Sequence, residues 1–301
     1  MNSLPSYFVI GVAKSATTFL FEGLKNSEEI ATPIMKEPSF LVYNGNNNYV
    51  IDSYSKKLQT LNFSKNISDY KNNFKKKHLG TKIGDYSTHY FYFLDKFIES
   101  MKKYYGDDYS KIPIIVMLRC PIKRAFSHYS MKVRDQQENK VFLEAIKMSV
   151  IERRLKENYL PSFDYIGFSR YKKKIKKLQE TFENILLVDF EMIKVRPNKL
   201  LENVTNFLNI KRINVPINRP INQSGSLKKN YLSNIVYKII YRRNILKDLI
   251  PGSLKASAAN TIKSKLHKVV FNKMEITFEE IEYLESILGE EIDFYELLFK
   301  D

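Results

Sequence analysis

The stretch from Phe8 to Phe21, FVIGVAKSATTFLF, constrains the fold more than any other part of the chain. An apolar run ending at Gly11 reads as a buried strand, and from Thr17 through Leu24 apolar residues recur at helical spacing. A tight strand–turn–helix is therefore predicted. The turn holds Lys14, Ser15, Thr17 and Thr18. The first N–H groups of a helix lack intrahelical partners and its dipole favours negative charge, so these side chains make an anion site suited to a phosphate-like group. An ordinary helix cap accounts for Ser or Thr here equally well. The Walker A spacing GxxxxGK[ST] is not met: counted from Gly11, Ala16 and Thr17 stand where its second Gly and its Lys belong, and Lys14 comes early.

Strand and helix patterns alternate from there on. Ile30 to Ile34 is a short apolar stretch leading into Met35, Lys36, Glu37 and Pro38. Proline biases the preceding residue away from helix, so Glu37 is expected on a loop just beyond a strand end, where open parallel sheets place ligands. A plain surface turn is the alternative. From Tyr43 to Lys77 the chain is rich in Asn, Lys, Ser and Tyr, and reads as an excursion over a site with some helix around Tyr49 to Leu61. Leu79 to Asp85 reads as a strand, and Tyr86 to Tyr90 open an aromatic-rich helix running to about Tyr105.

Ile112 to Leu118 is the clearest buried strand, and it delivers Arg119 at its C-terminal end. Pro121 opens a helix over Ile122 to Val133 that carries Arg124, Ser127 and Tyr129. Arg119, by its planar fork, and Ser127, by its hydroxyl, can converge on one phosphate; a carboxylate partner for Arg119 is the equal alternative. Helices are expected over Val141 to Asn158, Tyr165 to Phe182 and Asn198 to Leu208, with a strand at Ile185 to Phe190. The lysines at 172, 173, 174, 176 and 177 read as a solvated helix face, not a nucleic-acid stripe. Asn222 to Asn230, NQSGSLKKN, reads either as an ordinary surface connection or as a basic flap over a bound anion, Tyr231 to Ile250 as a basic amphipathic helix, and Phe278 to Leu288 as an acidic one. The alternation predicts an α/β fold in a single domain, with a central, mostly parallel, doubly wound sheet flanked by helices.

Composition narrows the partners. A chain of 301 residues with 44% hydrophobic content supports a packed core. Cys120 as the single cysteine excludes an internal disulfide framework, and four scattered histidines offer no metal-ligand cluster. No secretory leader or membrane-length apolar run is apparent, so a cytoplasmic location is expected. A net charge of +16 favours an anionic partner, although abundant Lys, Asn, Ile and Tyr also point to a general compositional drift. Peripheral contact of the basic helix with a membrane is a further reading.

Taken together these stretches resemble the sulfotransferases that use 3′-phosphoadenosine 5′-phosphosulfate (PAPS). GVAKSATT is similar to that family's 5′-phosphosulfate loop, and LRCPIKRAFSHY, at Leu118 to Tyr129, resembles its 3′-phosphate motif. MKEPSF at Met35 to Phe40 looks like the KEPxFF segment of carbohydrate-type members, GDYSTHYF at Gly84 to Phe91 like their GExSPxY stretch, and SGSLKK at Ser224 to Lys229 like a late cofactor-covering loop. Ser39, Ala16 and Thr88 depart from the frequent His, Gly and Pro at those positions.

The resemblance implies a P-loop nucleotide-kinase-like fold and metal-free transfer of a sulfuryl group to an acceptor hydroxyl or amine, leaving adenosine 3′,5′-bisphosphate (PAP). It implies Glu37 as general base and Lys14 as the catalytic cation. Lys14, Ser15, Ala16, Thr17, Thr18 and Phe19 would line the phosphosulfate, Arg119 and Ser127 the 3′-phosphate, and Gly225 and Lys228 the covering loop. Lys36, Asp85, Ser87 and His89 would face the acceptor, a saccharide by the KEP-type segment, with Asp85 and His89 as the alternative bases. The competing readings are an atypical P-loop nucleotide kinase, marked by magnesium dependence and ATP turnover, and a non-catalytic nucleic-acid binder, marked by steeply salt-dependent binding.

Overall fold

Residue alternation along two central strands decides the layers. In the computed structural model, which describes residues 4–46, 48–61, 63–74, 80–211, 213, 226–227, 271–272 and 274–300, strand β1 (Tyr7–Gly11) lies beside β6 (Ile114–Leu118) in parallel register, Phe8 opposite Ile114 and Val9 opposite Ile115. Phe8, Ile10, Ile114, Val116 and Leu118 face one side, and Tyr7, Val9, Ile115 and Met117 the other, and all are buried. Only a strand covered on both faces is apolar at every position. With β2 (Ile30–Ala31), β5 (Lys82–Asp85) and β7 (Ile185–Asp189) these strands form a five-stranded parallel sheet in the order β2-β5-β1-β6-β7. The expected central parallel sheet is thus observed.

Helix α1 (Thr17–Leu24) follows β1 and packs on one face. In chain order come α2 (Phe40–Tyr43), the hairpin strands β3 (Asn48–Val50) and β4 (Leu58–Thr60), α3 (Ile67–Asn72), α4 (His89–Tyr92), α5 (Leu94–Tyr105), α6 (Pro121–Arg134), α7 (Phe142–Ala145), α8 (Met148–Lys156), α9 (Lys172–Thr181), α10 (Met192–Val195) and α11 (Pro197–Phe207). A second two-stranded pair, β8 (Ser226–Leu227) with β9 (Phe271–Asn272), and the long α12 (Phe278–Phe299) complete the described elements. Helices α10 and α11 share the face of α1, and α2, α4, α5 and α9 cover the other. A third cluster joins α6, α7 and α8 to Leu284 and Leu288 of α12.

Four predicted helices are corrected. The segment expected as helix over Tyr49 to Leu61 is the antiparallel hairpin β3–β4, and Val50 is pinned by backbone bonds to Asn158 (3.0 Å) and Leu160 (2.9 Å), partners too distant in sequence for periodicity to reveal. The helix expected over Val141 to Asn158 is two, α7 and α8, because Lys147 between them takes extended dihedrals. The aromatic stretch after β5 is likewise divided at Phe93. Helix α9 begins only at Lys172, where Glu291 of α12 accepts the N–H groups of Tyr171 (2.6 Å) and Lys172 (2.7 Å). On it Lys173, Lys176 and Lys177 are exposed, as a solvated face requires, whereas Lys174 lies over the Phe91 and Tyr92 rings. Among the described residues no helix is long and apolar enough to cross a membrane. Most of the basic flap and all of Tyr231 to Ile250 lie outside the described residues, Gly225 and Lys228 included.

Candidate active site

Where β1 ends, the backbone turns away from the sheet at a glycine that cannot be replaced: Gly11 has φ +156°, and an added Cβ would lie 2.9 Å from Cβ of Phe91. The turn then passes through two more left-handed residues, Lys14 (φ +74°) and Ala16 (φ +63°), before α1 begins at Thr17 with no side-chain cap. The first-turn N–H groups therefore have no hydroxyl folded back onto them. Ser15 is fully buried and its Oγ has no partner among the described residues. Such an orphan is costly, and a ligand atom would satisfy it. Ala16 and Phe19 are half-buried and pack onto the core under α1.

The neighbouring strand brings in the arginine. Arg119 follows β6 and donates from Nη1 to the carbonyl oxygen of Lys14 (3.1 Å), tying the two strand ends together. Its guanidinium lies 4.4 Å over the ring of Phe190, and Tyr171 donates its hydroxyl to the Arg119 carbonyl at 2.9 Å. Nε of Arg119 is buried without a partner among the described residues. Ser127 is half-buried on α6, two turns into the helix. The other arginine of this motif, Arg124, is fully buried and committed to structure: it donates to Ser169 Oγ (2.6 Å) and to the Tyr165 carbonyl.

Lys14 extends along α6, its Nζ 3.4 Å from Sδ of Met131. Burial, and then the positive charge of Arg134, pushes its ammonium down to about 8. The attraction of a dianion bound beside it would oppose both effects.

The carboxylate reaches this turn by a different route. Glu37 sits on the loop after β2 in a left-handed conformation (φ +57°) and accepts a hydrogen bond from Thr88 Oγ1 at 2.9 Å. Lys36 donates to Thr18 Oγ1 (2.6 Å) in the first turn of α1 while its Nζ stands 3.8 Å from Oε1 of Glu37. Burial lowers the Lys36 ammonium, offset in part by Glu37. One lysine thus bridges the first turn of α1 and the carboxylate. His89 is buried with Nδ1 2.6 Å from the Tyr43 hydroxyl, and burial pushes it down to about 4, so it is neutral at pH 7. Asp85 is fully enclosed: Oδ1 accepts from Ser87 (2.6 Å), and Oδ2 from Tyr70 (2.6 Å) and Tyr90 (2.8 Å). Burial raises its carboxyl to about 6, with the three hydroxyls pulling the other way. Neither Asp85 nor Ser87 has a surface to offer an acceptor.

Beside Met35 lies an open groove of about 520 Å³, where Leu61 and Phe63 alternate with Thr60, Ser64, Asp69 and Asn72. Sequence reasoning missed Thr88 as the partner of Glu37, Lys36 as the bridge, and Phe190 as the floor under Arg119. Thr88 stood out only as the residue in place of proline.

No family model matches the sequence, and no curated protein matches it either. Solved structures do. A sulfotransferase from Alicyclobacillus acidocaldarius superposes with a TM-score of 0.62 at 24% identity, over 73% of this chain and 87% of that one. A mouse sulfotransferase, SULT7A1, complexed with PAP gives 0.48 at 15% identity over 96% and 84%, and the sulfotransferase domain from the curacin biosynthetic pathway 0.44 at 12% over 95% and 97%. The first of these likenesses fixes the fold: a parallel sheet flanked by helices, arranged as in the bacterial sulfotransferase.

Proposed function

We propose that this chain is a sulfotransferase that moves a sulfuryl group from PAPS to a hydroxyl or amine of a saccharide. The observation that carries the reading is the pair of orphaned donors, Ser15 Oγ and Arg119 Nε, at two adjacent strand ends joined by the Arg119–Lys14 bond. Two anionic groups of one nucleotide, about a ribose apart, would satisfy both. The bound nucleotide supplies a sulfuryl group on a phosphate leaving group, and positioning with charge stabilisation is what remains for the protein. Lys14, the first-turn N–H groups of α1 and the hydroxyls of Ser15, Thr17 and Thr18 bind the 5′ end and neutralise the charge developing on the departing phosphate oxygen. Arg119 and Ser127 hold the 3′-phosphate, with Gly225 and Lys228 assigned to the covering loop. Glu37 takes the proton of the acceptor as its oxygen or nitrogen bonds to sulfur. Thr88 keeps that carboxylate oriented, and Lys36 keeps it beside the anion turn. The groove beside Met35, with hydroxyl, amide and carboxylate groups interleaved with Leu61 and Phe63, offers both the hydrogen bonds and the apolar face that a sugar ring uses.

The test is transfer of label from sulfur-labelled PAPS to a panel of saccharides by the wild-type protein and by Glu37→Gln. Wild-type transfer is expected, with turnover of the variant lower by about a hundredfold or more and PAP affinity within about twofold. Absence of PAP binding, or full turnover by Glu37→Gln, would refute the assignment.

A further inference from the structure

We propose that Asp85 is a positioning residue for Glu37: its buried carboxylate sets the direction of the Ser87 hydroxyl, which in turn anchors the loop at Ser39. The proposal rests on the reading of Glu37 as the base. It starts from hydrogen-bond polarity. An ionised carboxylate only accepts, so the hydroxyl protons of Ser87, Tyr70 and Tyr90 are all committed to Asp85. Ser87 Oγ, with its proton spent, presents only lone pairs, and it accepts the backbone N–H of Ser39 at 3.1 Å. The adjacent Thr88 donates to Oε2 of Glu37. Consecutive residues after β5 therefore grip the loop at two points, its backbone at Ser39 and its carboxylate at Glu37.

The loop needs such a grip. Glu37 and Ser39 both have positive φ, +57° and +50°, which a non-glycine residue adopts only when its surroundings impose it. The next residue, Phe40, is held by the same cluster, its ring stacked 5.1 Å from that of Tyr70, which is itself bonded to Asp85. No cation pairs with Asp85 among the described residues. A carboxylate buried against hydroxyls alone is expensive, and an amide of the same shape would not serve. In the Asp85→Asn variant the side-chain NH₂ group would face either Ser87 or the two tyrosines, setting donor against donor on one side.

Ser87→Ala and Asp85→Asn test this with two readouts. The first is amide hydrogen exchange of the segment spanning Ser39, followed by mass spectrometry on PAP-bound protein, which requires no acceptor. The second is the steady-state split between kcat and KM with the labelled donor. The proposal expects exchange at Ser39 to accelerate at least tenfold in both variants. Turnover should fall about ten- to a hundredfold, with acceptor KM and PAP affinity within about threefold. Unchanged exchange in Ser87→Ala, the milder variant, would overturn the tether. Faster exchange with turnover intact would overturn its bearing on Glu37. Glu37→Gln run alongside separates the two failures: if it keeps full turnover the assignment of the base falls, while the exchange readout still decides the tether.

Discussion

The sharpest consequence of the geometry concerns Arg119. Its guanidinium has five N–H donors, of which one on Nη1 is used by the Lys14 carbonyl. Nε is buried and unpartnered among the described residues, and Nη2 lies on the same edge, so this edge is the one that would donate two parallel bonds to a phosphate. Phe190 beneath the group fixes its plane. Each charge-assisted hydrogen bond contributes about 1.5–3 kcal/mol. Arg119→Ala should therefore cost about 3–6 kcal/mol of PAP binding, roughly a hundred- to ten-thousandfold. Arg119→Lys keeps a point charge and one bond, and should cost about half of that, roughly ten- to a hundredfold. The decisive control is adenosine 5′-monophosphate, which has no 3′-phosphate. Titration calorimetry of both nucleotides against the wild-type and lysine proteins forms a cycle. The loss should appear with the bisphosphate and stay within about threefold for the monophosphate. An equal loss for both would mean that Arg119 only props the Lys14 turn, and the two-anion reading would be wrong.

Two further outcomes follow from buried charges. Lys14, held down to about 8 in the free protein, should regain its ordinary basicity against a bound phosphate. Nucleotide affinity should then fall as pH rises through about 8, with about half a proton taken up per nucleotide at that pH. Calorimetry in two buffers of different ionisation heat measures this uptake, and Lys14→Met should abolish it; zero uptake in the wild type would contradict the parked lysine. Away from the site, Arg154 and Glu138 form a bidentate pair (2.6 and 2.7 Å), their side chains 3% and 0% exposed, with the Tyr165 hydroxyl on the same carboxylate. Arg154→Met leaves that carboxylate buried and unneutralised, and should cost about 3–5 kcal/mol in urea unfolding. Adding Glu138→Gln should recover most of the loss.

The parts of this molecule that could be read from the sequence are those whose cause is local. The strand at Phe8, its turn and the helix from Thr17 are a continuous pattern, and the helix begins where the periodicity starts. The apolar run before Arg119 is buried on both faces for the reason its composition indicates. The hairpin at 48–60 was illegible because its pairing partners include Asn158 and Leu160, a hundred residues on in an otherwise polar excursion. The same distinction holds in the site. Lys14 and Arg119 stand at strand ends that the alternation itself locates, but the contacts that orient them span the chain: Lys14 to Met131, Arg119 to Phe190, Glu37 to Thr88.

That division has a physical origin in the strand order. The chain leaves β1 toward β2 and β5 on one side, and leaves β6 toward β7 on the other, so the connections diverge between β1 and β6. Loops that part in opposite directions open a crevice above the strand ends, and whatever lies there is lined from both sides. Lys14 and Ser15 come from one side and Arg119 from the other. Glu37 belongs to neither of these strands. It arrives from beyond β2, at the sheet edge, and must be carried inward by contacts: Thr88 at the end of β5, Lys36 against Thr18, and Ser87 under Ser39. The meeting of Lys14, Ser15 and Arg119 thus follows from topology, whereas the placement of Glu37 depends on three hydroxyls. Substitutions at Ser87 and Thr88, the two hydroxyls outside the nucleotide site, should therefore impair turnover while leaving nucleotide binding to the two central strands.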